Sequence, residues 1–120
     1  MADEITVYVS LKVTNGNLSF NKTTSQLKFD QAVAEGPAPG FITVGTTEET
    51  VDLSELTTLG WCTIENLDPT NYIEFGFSTG VYGIRVEPGE VCCFRLNPGA
   101  TVYARANTAA CGCVFNGMGD

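Results

Sequence analysis

From residue 61 to residue 115, short apolar segments alternate with turn residues about every ten residues. The connecting segments are rich in Asn, Asp, Pro and Gly, which adopt the backbone angles that tight turns require. This spacing is typical of β-sandwiches and β-barrels. The predicted strands are residues 61–65, 72–77, 81–86, 91–96, 101–106 and 111–115. Arg85, Arg95 and Arg105 recur in step with them, which predicts one outward-facing position on three successive strands.

The N-terminal segment alternates strictly between apolar and polar residues. The aliphatic positions are Ile5, Val7, Val9, Leu11 and Val13. A period of two places all five side chains on one face of a single strand. Asn15 and Gly16 then favour a turn, and further strands are predicted near residues 18–20 and 27–29.

The segment between residues 35 and 60 gives less regular signals. The predicted elements are a loop at residues 35–40, a strand at 41–44, an acidic loop at 45–50 and a short strand at 51–53. Ser54 is a weak N-cap for one helical turn over residues 54–59, the only segment with helical character.

Two corners place Pro directly before Gly, at Pro88-Gly89 and Pro98-Gly99, and predict type II turns. Type II turns twist against a minimal hairpin, so they favour either bulged hairpins or connections that pass from one sheet to another, as in a jelly roll. We therefore predict an all-β fold: a single-domain antiparallel β-sandwich over residues 1–120, jelly-roll-like, with about eight strands. Residues 1–5 are a candidate docking arm.

Composition argues against several classes of function. Fourteen acidic and six basic residues give a net charge of −8, which opposes binding to nucleic acid and to anionic membranes. The chain has no His, which excludes Ser-His-Asp and Cys-His catalysis. The acidic N-terminus and the absence of a long apolar run predict synthesis in the cytosol without a signal peptide or a membrane span.

The five Cys residues leave at least one thiol unpaired. They are Cys62, Cys92, Cys93, Cys111 and Cys113. Cys111 and Cys113 share a strand face and suit zinc, but the C-C and C-x-C spacings lack the turn of a zinc knuckle. A disulfide between the two pairs is a second interpretation, which a reducing cytosol opposes. The favoured interpretation is that the thiols are small buried apolar groups, so no metal or cofactor is predicted.

Carboxylates and aromatic rings are the other candidate chemical groups. The acidic pairs Glu48-Glu49 and Glu87/Glu90 fall in predicted surface loops, with no apolar pocket to raise a pKa for acid–base catalysis. A calcium site within residues 46–52 lacks EF-hand spacing. The candidate sugar-binding aromatics are Trp61, Tyr72, Tyr82 and Tyr103, although the favoured interpretation of a lone Trp in a β domain is a core residue. We predict no catalytic, cofactor-binding or metal-binding residue, and a non-enzymatic protein.

Three segments of the C-terminal half resemble one family. They are residues 64–76 (IENLDPTNYIEFG), 86–90 (VEPGE) and 94–110 (FRLNPGATVYARANTAA). The motifs N-L-D-x-T-N-Y, P-G-E and L-x-P-G-x-x-x-Y-A-x-A resemble those of small virion proteins of tailed bacteriophages, which have them at similar intervals. The resemblance covers residues 61–115 and implies a β-sandwich structural protein without catalytic residues.

The role that this resemblance implies is capsid decoration, or cementing. Such proteins form trimers on the outside of the head and clamp neighbouring subunits of the major capsid protein. The expected partners are therefore the major capsid protein and further copies of the chain, on the virion exterior after synthesis in the host cytoplasm. Two other roles stay open: another virion component (tail, fibre or connector-associated), and a non-enzymatic carbohydrate-binding module.

Overall fold

The computed structural model describes residues 3–120, which form twelve β-strands and no helix. The strands are β1 Ile5–Val7, β2 Ser10–Asn15, β3 Leu18–Thr23, β4 Leu27–Phe29, β5 Ala38–Val44, β6 Glu49–Thr50, β7 Leu59–Asn66, β8 Ile73–Gly76, β9 Ile84–Val86, β10 Val91–Arg95, β11 Tyr103–Ala106 and β12 Cys111–Gly119. Every strand pairing is antiparallel. The all-β prediction is confirmed, although about eight strands were expected.

The chain divides into two compact units. Unit 1 ends at Ala32, and unit 2 begins at Val33. Unit 1 contains β1 to β4, and unit 2 contains β5 to β12. Within unit 1, β1 pairs with β4, whereas β2 and β3 form a hairpin. Gly16 opens the two-residue loop of this hairpin with a φ of 56°, in the left-handed region that glycine tolerates. The predicted turn is therefore present, one residue further along the chain.

The predicted continuous N-terminal strand is interrupted at Tyr8 and Val9. The interruption falls where the chain changes partner, because β1 pairs with β4 and β2 pairs with β3. The five alternating aliphatic side chains also differ in burial. Val7 is buried, whereas Val9 and Leu11 are exposed. The prediction of one uniform strand is therefore wrong.

Unit 2 contains two four-stranded sheets. Sheet I has the order β10-β7-β12-β5, and sheet II has the order β6-β11-β8-β9. Every connection between consecutive strands of unit 2 passes from one sheet to the other, except the connection from β8 to β9. The connections at Pro88-Gly89 and Pro98-Gly99 both cross between sheets, which is one of the two alternatives that the sequence predicts.

The two Pro-Gly corners differ in turn type. Glu90 donates its backbone N–H to Glu87 across 3.0 Å, and Gly89 has a φ of 78°, as a type II turn requires. Ala100 donates to Asn97 across 2.9 Å, but Gly99 is not among the glycines with positive φ. The type II prediction is therefore wrong at the second corner, because Pro presets the first central φ of types I and II alike.

One hydrophobic core takes side chains from both sheets of unit 2. Buried and half-buried residues alternate along all nine residues of β12, which extends four residues beyond its predicted end at Phe115. The rings of Phe75, on β8 in sheet II, and Phe115, on β12 in sheet I, lie 6.3 Å apart between centroids. The alternation expected of half-buried strands therefore places the core side chains of this unit.

Three predictions between residues 35 and 60 are wrong. The short strand predicted at residues 51–53 is absent, and β6 lies instead at Glu49–Thr50, within the predicted acidic loop, where it pairs with β11. β5 begins at Ala38 and includes Pro39, although the sequence predicts a loop there. Proline is tolerated because β5 is an edge strand, where a missing N–H breaks no ladder. No helical turn forms at residues 54–59. Instead, the backbone N–H of Leu56 donates to the backbone carbonyl of Leu53 across 3.0 Å, and the Leu56 side chain is buried.

Candidate interaction surfaces

The outer face of sheet I carries apolar side chains where a solvent-facing sheet normally carries polar ones. The strand register places Val91, Glu65, Val114 and Phe41 in one row across its four strands. Phe41 is 65% exposed and Val91 is 60% exposed. Glu65 and Val114, on the two central strands, are half-buried. This row therefore has one acidic group between apolar ones.

Further apolar groups extend this surface. In the next row, exposed Cys93 pairs with Thr63. Half-buried Trp61 lies on β7 one row further on, where it pairs with Arg95. Arg95 lies over the Trp61 ring, 5.5 Å from its centroid, and forms an ion pair with Asp120 at 2.7 Å. We name the surface formed by Phe41, Trp61, Glu65, Val91, Cys93 and Val114 the apolar sheet face.

The β2–β3 hairpin of unit 1 is an amphipathic ribbon. Antiparallel partners share a face, so one face presents Leu11, Val13, Asn15, Leu18, Phe20 and Lys22. The opposite face presents only polar groups: Ser10, Lys12, Thr14, Ser19, Asn21 and Thr23. On the apolar face, Leu11 is 58% exposed, Leu18 is 56% exposed and Phe20 is 49% exposed. Two-stranded ribbons are marginal on their own in water, so this face is a candidate for covering by a partner.

The two units differ in charge. Residues 3–32 contain three Lys and three acids, and the acids, Asp3, Glu4 and Asp30, all lie outside residues 5–29. Residues 33–120 contain three Arg and eleven carboxylates. The acidic character of the chain therefore belongs to unit 2, and the amphipathic ribbon is basic.

The outer face of sheet II is polar and cross-linked. Arg105 forms an ion pair with Glu74 at 2.8 Å and lies 4.4 Å from the centroid of the Tyr82 ring. The Tyr82 hydroxyl donates to Glu48, which lowers the pKa of this carboxyl and raises the pKa of the phenol. Arg85 lies 4.0 Å from the centroid of the Tyr72 ring.

These contacts bear on the candidate sugar-binding tyrosines and on the predicted outward-facing arginines. One ring face of Tyr72 and one ring face of Tyr82 are each covered by a guanidinium and are not open for stacking on a sugar, which reduces the surface that these two candidates could offer. Arg85 and Arg105 occupy one row across Glu74 on sheet II, and Arg95 lies on the outer face of sheet I. The prediction that the three arginines face outward is confirmed.

The five cysteines are free thiols and differ in burial. Cys62, Cys111 and Cys113 are in the core, which agrees with their predicted role as small apolar groups. Burial raises the pKa of Cys62 and of Cys113 to about 12. Cys92 is half-buried and Cys93 is exposed, so the two neighbours point to opposite faces of β10, as expected, but the prediction of a buried thiol is wrong for Cys93.

The acidic candidates do not converge. Glu87 and Glu90 share one turn, in which the Glu90 carboxylate accepts the backbone N–H of Glu87 at 2.8 Å. A surface hollow of about 420 Å³ includes Asp52, whose pKa is lowered by hydrogen bonds from Ser54. A second hollow, of about 520 Å³, has Arg95 and Tyr103 as its ionisable lining. Among residues 3–120, no three His, Cys, Asp or Glu side chains are placed to hold a metal ion.

Comparison with known proteins finds no matching family model, no matching curated sequence and no matching solved structure. Residues 3–120 also contain no helix with the length and apolar character needed to span a bilayer.

Proposed function

We propose that the protein is a bacteriophage capsid decoration protein, which binds the outer surface of the major capsid protein lattice and stabilises the head. It acts as a homotrimer on the virion exterior, without catalytic residues or a cofactor, and without binding nucleic acid or membrane. The observation that carries this proposal is the apolar sheet face, where Phe41 and Val91 are left to solvent on an otherwise acidic unit. Exposed apolar surface of this kind marks protein interaction sites.

The proposed architecture of unit 2 is an eight-stranded jelly-roll sandwich. The two sheet orders, β5-β12-β7-β10 and β6-β11-β8-β9, support this topology. So do the connections that change sheet at every step but one. Jelly rolls are common in viral capsid proteins and lectins, so the topology fits a virion protein without excluding a sugar-binding one.

The segments that carry the family resemblance have structural roles in this chain, as expected of a protein without a reaction centre. In the N-L-D-x-T-N-Y motif, the Asp68 carboxylate accepts backbone N–H groups from Thr70, at 3.0 Å, and Asn71, at 2.6 Å. These bonds lower the pKa of Asp68 and hold the loop that leads into β8. The motif therefore maintains the geometry of this loop, and the proposed binding role falls to the exposed faces of the sheets.

A decoration protein resists pressure from the packaged genome by linking neighbouring capsid subunits. Closely packed sheets deform little, so they transmit load between attachment points. A trimer multiplies weak contacts, because each further attachment occurs at high effective concentration. Burial of the apolar sheet face would supply roughly 25 cal/mol for each Å² of apolar area removed from water.

The test compares phage particles assembled with and without this chain. We expect cryo-electron microscopy to show the chain on the head lattice, and particles lacking it to release DNA at a lower temperature. Equal heat resistance with no density on the head would contradict the proposal. Density on the tail, fibre or connector would instead support the second virion role, and binding to a glycan array would support the carbohydrate-binding role.

A further inference from the structure

Each of two exposed apolar faces of this protein carries one charged side chain, and the two charges have opposite sign. Lys22 projects from the apolar face of the amphipathic ribbon, opposite Leu11. Glu65 projects from the apolar sheet face, beside Val91 and Val114. Among residues 3–120 the ion pairs involve Arg85, Arg95 and Arg105, so neither charge belongs to one.

We propose that the amphipathic ribbon of one copy docks on the apolar sheet face of a second copy, with Lys22 of the first beside Glu65 of the second. The contact joins different surfaces of two identical chains, so it can repeat from copy to copy, and a rotation of one third of a turn at each contact would close a trimer. This inference rests on the proposed function, because it names the surfaces through which the decoration protein would assemble.

The charge pattern favours this pairing over contacts between like faces. Ribbon against ribbon would bring two basic segments together, and sheet face against sheet face would bring two acidic units together. Like charges brought together in a partly desolvated contact oppose association. Ribbon against sheet face instead pairs a basic segment with an acidic unit, since residues 5–29 contain no acid.

The ribbon is also long enough to cross all four strands of sheet I. Each ribbon strand has six residues and is therefore ~20 Å long. The four strands of sheet I span ~14 Å between the axes of the outermost strands. Packing would place Phe20 and Leu18 of the ribbon on the side of Glu65 where Val114 and Phe41 lie, so apolar area is removed from water on both sides.

Charge exchange tests this contact. The variants are Lys22→Glu, Glu65→Lys and the double variant that carries both changes, each measured by sedimentation velocity over a range of protein concentrations. We expect each single variant to raise the dissociation constant of self-association at least about tenfold, and the double variant to return within about threefold of the unchanged protein. Only a direct pairing of the two charges predicts this recovery.

Matched controls place the same charge changes elsewhere. Lys12→Glu lies on the polar face of the same ribbon, and Glu55→Lys lies in an exposed loop of unit 2. Both should change the dissociation constant less than about threefold. If Lys12→Glu weakens association as much as Lys22→Glu, or if the double variant fails to recover, the proposal is overturned.

Cys93 reports directly on whether the apolar sheet face is covered, because it is the exposed thiol on that face. Its alkylation by iodoacetamide, followed by peptide mass spectrometry, should slow as protein concentration rises, and should stay fast in Lys22→Glu. Protection of Cys93 at every concentration in a protein that sediments as a monomer would mean docking within one chain, and would overturn the proposal.

The outcomes separate this inference from the proposed function. A protein that binds phage heads but sediments as a monomer overturns the contact between copies and leaves head binding intact. A protein that self-associates with the expected charge-exchange pattern but does not bind heads supports the contact and overturns the decoration role.

Discussion

The side-chain amide of Asn66 donates a hydrogen bond to the backbone carbonyl oxygen of Val86 across 3.0 Å, in a fully buried position. The same amide donates to the carbonyl oxygen of Asn71 across 2.9 Å, and its oxygen accepts the N–H of Asp68 at 2.9 Å. The backbone carbonyl of Asn66 also accepts the N–H of Gly89 at 3.0 Å. One buried residue therefore joins the end of β7, the loop before β8 and the turn after β9.

The first prediction is that Asn66→Ala lowers the free energy of unfolding by about 3 kcal/mol, because three backbone groups lose their buried partner. Urea denaturation followed by tryptophan fluorescence measures this change. Asn97→Ala, at an exposed turn position, is the control and should cost less than about 0.5 kcal/mol. Equal effects of the two variants would show that Asn66 does not tie these loops together.

The second prediction concerns Gly76, at the end of β8. A Cβ atom on Gly76 would overlap the backbone carbonyl oxygen of Val81, whereas one on Gly83 would meet open space. We expect Gly76→Ala to lower the free energy of unfolding by about 2–4 kcal/mol, since backbone must move. Gly83→Ala is the matched control and should leave the melting temperature nearly unchanged. A stable Gly76→Ala protein would contradict the close approach of these two segments.

The strands of unit 2 from β7 onward could be predicted from the sequence because local pattern determines them. Period-two alternation and frequent turn residues identify β7 and β12 before any tertiary contact is known. Their ends were less predictable. β12 runs to Gly119 because β7 remains available for pairing at Gly119, on the far side of a register shift after Gly117. Such an extension depends on a partner strand that is distant in sequence.

The interaction surfaces could not be predicted in the same way. The alternation from Ile5 to Val13 shows that one strand face is apolar, but not whether the core of the same chain covers it. Val7 is buried and Leu11 is exposed within the same pattern. Likewise, Asn66 follows the predicted strand 61–65 and falls in a connecting segment. Its buried role could not be predicted, because its partners Asn71 and Val86 are brought together only by the fold.

The third prediction follows from the buried thiols. The pKa of Cys62 and of Cys113 rises from the ordinary value of 9.0 to about 12 in the folded chain. Between pH 9 and pH 12 each thiol keeps its proton in the folded chain but loses it in the unfolded chain. The contribution of the thiol to stability is therefore complete below pH 9 and is lost as the pH rises toward 12. The free energy of unfolding should therefore fall above pH 9, by about 1.4 kcal/mol per pH unit for each thiol.

Urea titrations at pH 7 and pH 10.5 measure the effect. The control is the double variant Cys62→Ala/Cys113→Ala, which is less stable at pH 7 because core volume is lost. Its stability should fall less between the two pH values, since the titrating groups are gone. If the double variant and the unchanged protein lose equal stability, other groups cause the alkaline destabilisation.

The fourth prediction separates binding from stability on the apolar sheet face. Phe41 is 65% exposed, so Phe41→Ser should change the free energy of unfolding by less than about 0.5 kcal/mol. The same variant should weaken association with phage heads about tenfold or more, because an aromatic side chain at an interface contributes large apolar area. Phe77→Ser is the matched control, since Phe77 is 48% exposed but lines the hollow near Tyr103 instead. Co-sedimentation of each variant with heads that lack the chain gives the affinities, and equal losses for both would mean that the apolar sheet face has no special part in binding.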